Sequence, residues 1–148
     1  LLTKAKAADV EGYMAPMEER EPLSRTNLAD LKKITEICRE RGTSLVLFSA
    51  PSPANWTMRR HNTVQDTAES LGLPYIDGNL LELGIDWDTD TYDRGDHLNY
   101  SGAAKVTAWI GDYLRREAPG LTDRRGDPDY EIWDRDAAAC RARLEAQE

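Results

Sequence analysis

The chain has 148 residues, of which 40% are hydrophobic and 31% charged, enough for one ordinary domain with a core of its own. Its net charge of -8 excludes the usual phosphate-binding surfaces of nucleic-acid and anionic-membrane proteins, which need clustered Lys and Arg. No apolar run approaches the roughly 20 residues needed to cross a bilayer, and the expectation is no membrane segment in this chain.

The first residue is Leu rather than Met, so the expectation is that the chain begins inside a longer protein. Residues 1–23 read as an irregular, partly buried lead-in, with Met14, Pro16, Met17 and Pro22 and no clear period. A helix is expected from about Ser24–Asn27, where several side chains can cap it, to Arg41. Leu28, Leu31, Ile34, Ile37 and Cys38 recur there at helical spacing, and Gly42 is a natural stop. Cys38 reads as a buried free thiol. With Cys140 far away and no CxxC motif, two cysteines make no disulfide framework or metal cluster.

Ser44–Phe48, SLVLF, is a short continuous apolar run bounded by turn signals, as in a strand covered on both faces of a parallel sheet. The loop Ser49-Ala-Pro-Ser-Pro53 follows and cannot continue a ladder. A second helix is expected from about Thr57 to Leu71, with His61, Val64, Ala68 and Leu71 inward and Gly72 at its end. His61 on that apolar stripe reads as a satisfied, partly buried histidine rather than a ligand. Leu73–Asp77, LPYID, is a second short strand. Helix, strand, helix, strand with short connections argues for parallel pairing through right-handed crossovers.

A long polar loop follows, from Gly78 to about Asn99, with a short helical turn expected near Leu80–Leu83. Asp86, Asp88 and Asp90 match the opening of a calcium loop, but the pattern then fails at Thr91 and His97, and a solvated acidic loop is the expectation. A helix from about Ser101 to Arg116, capped by Asn99 or Ser101, carries Ala103, Val106, Ile110 and Leu114 on one face. Residues 121–148 form an extension. Tyr130, Trp133, Ala137, Cys140 and Leu144 line one helical stripe there, expected to pack on the body or on a partner, with core packing the more ordinary role for Trp133.

The stretch with chemical content is Asp90–Ala104, DTYDRGDHLNYSGAA. It places His97 on a loop between the last strand and the last helix, with Asp93 and Asp96 nearby. In open α/β sheets such loops gather at the carboxyl ends of the strands. A histidine with a carboxylate in reach is the base-and-orienter pair of nucleophilic hydrolysis. Ser52 and Asn55, on the loop after the first strand, are candidates for substrate contact, although turn formation between Pro51 and Pro53 explains them as well. Trp87 is a third candidate, with a substrate-pocket wall and an anchor to the core both open.

This stretch resembles the C-terminal block of SGNH/GDSL hydrolases, in which an aspartate shortly before a histidine supplies two members of a catalytic triad. His97-Leu-Asn99 followed by Ser101-Gly-Ala and a helix is similar to the cell-surface branch that handles O-acyl groups on glycans, and the likeness extends over roughly residues 24–117 through LVLFSAPSPANW and GLPYID. The resemblance implies a three-layer α/β/α sheet domain over 24–120, incomplete on its N-terminal side, with 121–148 added as a helix. It implies a serine esterase or acyl hydrolase, an acyl-ester substrate that is a small molecule or a glycan, no cofactor and no metal. It further implies a bacterial envelope or extracellular setting.

The family spacing puts its aspartate three residues before the histidine, where this chain has Arg94. Asp93 is the preferred partner of His97, with Asp96 in reserve. The family's Gly-Asp-Ser nucleophile block does not occur, and none of Ser24, Ser44, Ser49, Ser52, Ser70 and Ser101 stands in such a context. The nucleophile and oxyanion donors would then belong to an N-terminal half of the same protein, and this chain alone should be inactive. The alternative is an inactive SGNH-like module that binds carbohydrate or protein. A stand-alone flavodoxin-like domain is a third reading, for which no phosphate-binding glycine loop is present.

Overall fold

The computed structural model of the chain describes residues 3–146. It combines four α-helices with a two-stranded parallel sheet, a mixed α/β architecture. In chain order come helix α1 (Arg25–Glu40), strand β1 (Leu47–Ser49), helix α2 (Met58–Leu71), strand β2 (Tyr75–Asp77), a 3-10 turn at Gly78–Leu80, helix α3 (Tyr100–Glu117), a 3-10 turn at Pro128–Tyr130 and helix α4 (Glu131–Glu145).

The helix ends follow from local chemistry. Ser24, Thr57 and Asn99 each sit in extended backbone, and each side-chain oxygen accepts an N–H that the first helical turn leaves unpaired. Gly72 closes α2 in the left-handed conformation, where its N–H finds the carbonyls of Ala68 and Glu69. Among the described residues no helix is long and apolar enough to cross a membrane.

Both strands are shorter than expected. The paired segments are Leu47–Ser49 and Tyr75–Asp77, so Ser44–Val46 and Leu73–Pro74 lie outside the ladder. Pro74 is the physical reason: its carbonyl accepts Leu47 N–H at 2.9 Å, but it has no N–H to extend the pairing. Cover over β1 is partial, since all three of its residues are only half-buried. In the register Leu47↔Tyr75, Phe48↔Ile76 and Ser49↔Asp77, paired side chains share a face. From the Tyr75 face, that ring meets His61 of α2 at 5.7 Å. From the Phe48 face, that ring stacks on Trp109 of α3 at 6.1 Å.

The apolar core is thin. Among the described residues the buried hydrophobic side chains are Ala68 and Val106, and burial falls as much on Thr35, Asp77, Asp90, Thr91 and Asn99. Cys38, expected buried, is half-buried. Total accessible surface is 10586 Å², against about 7600 Å² for a monomer of this mass by surface–mass scaling.

The tail departs from its expected packing. α4 has no buried residue, and Trp133 is 71% exposed, so the stripe forms as a helix but does not enter the core. By contrast the lead-in is tied down: Lys6 N–H donates to Thr91 O at 2.7 Å and Ala8 N–H to Trp87 O at 2.9 Å. The helical turn expected at Leu80–Leu83 occurs earlier, as the 3-10 turn, where Asp77 caps it through Asn79 N–H.

Candidate functional site

The loop from Asp86 to Asn99 is built from the inside. Asp90 is 1% exposed. Its carboxylate accepts Asp86 N–H at 2.8 Å and the Lys105 ammonium of α3 at 2.6 Å. Burial alone would push this carboxyl up, but those bonds outweigh it and hold the group below the ordinary value. The expected solvated acidic loop is corrected here: Asp90 is an internal anchor, committed to Lys105. Asn99 N–H returns to Asp90 O at 2.9 Å, and Asn99 Nδ2 donates to Thr89 O at 2.6 Å. A Cβ at Gly102 would lie 2.4 Å from Asp90 O, so the first turn of α3 needs glycine at this close approach.

Within this frame Thr91 and Leu98 form an isolated antiparallel bridge, and the six residues between them make a tight excursion. Thr91 Oγ1 donates to His97 O and accepts Gly95 N–H, both at 2.8 Å. Arg94 and Gly95 both adopt positive φ, 68° and 94°. Two successive residues of positive φ turn the chain between Asp93 and His97. Gly95 also packs where a Cβ would meet Ala8 and Pro53 at 2.9 Å.

The result brings Asp93 and His97 together. One Asp93 oxygen accepts His97 N–H and the other meets His97 Nδ1, each at 2.7 Å. Asp96 Oδ2 is farther, 3.4 Å from the same nitrogen, and its other oxygen takes the Asn55 side-chain amide. With Asp93 ionised, Nδ1 carries the proton and Nε2 keeps a lone pair. The ring stacks on Tyr92 at 5.8 Å and is 62% exposed. The hydrogen bond that Asp93 accepts, and then the charge of Asp96, raise the His97 pKa above its ordinary value. Burial pushes the Asp93 carboxyl up, but the backbone and side-chain bonds from His97 prevail and lower it. No serine or cysteine among the described residues hydrogen-bonds to this imidazole.

The donor atoms of Asp93, Asp96 and His97 lie within 4.8 Å of one another, a spacing that a divalent cation could bridge. Asp93 and His97 already use those atoms on each other.

The three proposed substrate contacts all sit beside this loop or the strand ends. Ser52 Oγ donates to the carbonyls of Gly95 at 3.1 Å and Asp96 at 3.0 Å. Its N–H goes to Asn79 Oδ1 at 2.8 Å. Ala54 N–H also reaches Gly95 O, at 3.1 Å. Ser52 and Asn55 thus hold the His97 loop against the end of β1. Trp87 makes an edge-to-face contact with Tyr13 at 5.8 Å, and with Pro51 and Asn79 it lines a cleft of about 240 Å³. Anchor and wall are therefore both parts of its position.

A second His–Asp pair escaped the sequence reading. His61 Nδ1 lies 2.8 Å from Asp77 Oδ2, with the Asp77 side chain 2% exposed. The same oxygen accepts Trp56 Nε1–H at 2.8 Å and Tyr75 O–H at 3.0 Å, and the other accepts Asn79 N–H at 2.9 Å. Burial raises this carboxyl, yet the bonds from Asn79, Trp56 and His61 leave it below the ordinary value. The available signal was the position of Asp77, the last residue of a strand at the carboxyl edge. Trp56, on the loop after β1, is thus one of the Asp77 donors.

Comparison of the chain with protein-family models, with curated proteins and with solved structures finds no match.

Proposed function

We propose that this chain supplies the histidine–aspartate half of an SGNH/GDSL-type acyl-ester hydrolase, within a three-layer α/β/α domain completed by further chain. The observation that carries the reading is the double closure of Asp93 on His97, which fixes one tautomer on a largely exposed imidazole. The opposite-face contacts of Phe48 with α3 and Tyr75 with α2 support the layered arrangement.

In this mechanism Nε2 takes the proton of a serine hydroxyl as the serine oxygen attacks the ester carbonyl. Asp93 stabilises the imidazolium that forms. The imidazolium then gives its proton to the leaving alkoxide as the ester C–O bond breaks, leaving an acyl-serine. Water repeats the sequence and releases the carboxylic acid. The acyl carrier is a small molecule or a glycan, and the serine and oxyanion donors come from the other half.

The test is p-nitrophenyl acetate hydrolysis by the longer parent protein, by this chain alone and by the parent with His97→Ala. Activity confined to the unaltered parent is expected. Activity that survives His97→Ala, or a parent with no turnover, overturns the reading. One observation favours a second reading, an inactive binding module: no serine or cysteine among the described residues reaches His97. A silent parent that still binds an acylated glycan, with or without His97, would establish that alternative.

A further inference from the structure

α4 carries an apolar seam that its own chain leaves mostly uncovered, with Leu144 half-buried at its far end. Trp133, Ala137, Cys140 and Leu144 follow one another in alternating four- and three-residue steps, the pattern of a helix that packs lengthwise on another helix. Cys140 is exposed, as are Ile132 and Trp133, 54% and 71% accessible. Asp134 and Arg141 flank the seam on one side, and Asp136 and Arg143 flank it on the other. Each flank therefore runs from acidic near the helix start to basic near its end. Asp136, Arg141 and Arg143 make no ion pair among the described residues, and Asp134 spends one oxygen on Gly126 N–H.

That charge order selects an occupant. We propose that α4 pairs antiparallel with α4 of a second copy of this chain. With the two-fold axis between Ala138 and Ala139, Trp133 lies across from the second copy's Leu144, and Ala137 across from its Cys140. Like flanks meet in an antiparallel pair. Asp134 then stands beside the second copy's Arg141, and Asp136 beside its Arg143, each about two residues, or 3 Å, along the axis. Symmetry doubles both contacts, so every flank acid meets a base and no like charges oppose. A parallel pair brings opposite flanks together and keeps the match only between Asp136 and Arg141. The seam spans about two heptads, so the association is of the weak class, with dissociation in the micromolar range or above.

Sedimentation equilibrium on this chain, from low micromolar to millimolar concentration, tests the pairing directly. A monomer–dimer equilibrium is expected, weakened at least tenfold by Trp133→Ala with Leu144→Ala. Trp133 is exposed and Leu144 half-buried, and neither belongs to the buried core, so circular dichroism should show the fold retained. Asp134→Arg/Asp136→Arg makes the flanks wholly basic, and Arg141→Asp/Arg143→Asp makes them wholly acidic. Each variant alone should be monomeric, and an equimolar mixture should form a heterodimer. For direction, Ala137→Cys in a Cys38→Ser background should oxidise to a dimer with two bonds between position 137 and Cys140. A monomer throughout the range overturns the proposal. So does a dimer indifferent to the seam variants, which would use another face, or a cross-link joining Cys140 to Cys140, which marks a parallel pair. None of these outcomes depends on ester hydrolysis.

Discussion

Asp93 grips His97 at two points, the backbone N–H and Nδ1, each at 2.7 Å. The carboxylate therefore sets both where the imidazole stands and how strongly it holds its proton. His97 should titrate above its ordinary value, and Asp93→Asn should lower the midpoint, with Asp96→Asn lowering it less. The chain has two histidines, so the ring resonances are readily followed by NMR. A raised folded pKa favours the fold at pH below the ordinary histidine value, and that contribution disappears as pH rises through the folded pKa. In the proposed hydrolase the rising limb of the pH–rate profile would sit correspondingly higher. An unchanged midpoint in Asp93→Asn removes the carboxylate from its assigned role.

Ser52 should matter through the loop it holds. Ser52→Ala removes the hydroxyl that bonds Gly95 O and Asp96 O. The expected local cost is about 1 kcal/mol, which corresponds to roughly fivefold faster amide exchange where opening exposes the site. Hydrogen exchange at Gly95 and His97 reads this, and unchanged rates there would show that Pro51 and Pro53 fix the loop alone.

Gly102 admits no side chain without movement of α3 or of Asp90. Gly102→Ala places a methyl 2.4 Å from Asp90 O and should cost about 2–3 kcal/mol in urea denaturation. A loss under about 0.5 kcal/mol would mean that the loop gives way freely.

Asp77 predicts a distinct dependence on acid. Its folded pKa is depressed, so its contribution is present above the ordinary unfolded carboxylate value and is lost as pH falls through the folded one. Asp77→Asn should destabilise the chain by about 2 kcal/mol near neutrality, and the gap from the unaltered chain should narrow below about pH 4. Stability curves that stay parallel from pH 7 to pH 2.5 would contradict this account.

Helix ends were legible because they depend on neighbours in sequence. Ser24, Thr57, Asn99 and Gly72 each act within a few residues, and each does what its type suggests. Strand length was less legible, because an apolar run marks what can pair and not where a partner supplies the opposing groups. Pro74 decided that from the neighbouring strand. Choosing Asp93 over Asp96 rested on spacing, and the geometry agrees through the left-handed pair Arg94–Gly95, a backbone detail absent from the residue pattern. His61 was legible as a satisfied histidine, but Asp77 as its partner required the packing of α2 on β2. The α4 stripe shows which face is apolar and says nothing by itself about what covers it.

The large accessible surface of the chain also bears on how it melts. A chain of this mass that keeps 10586 Å² accessible has less hidden area to release on unfolding than a well-filled domain. Denaturant sensitivity and heat-capacity change both scale with that released area. The chain by itself should therefore unfold over a broad range of temperature and urea, with a shallow slope, and any partner that covers its open faces should steepen the transition as well as move it upward.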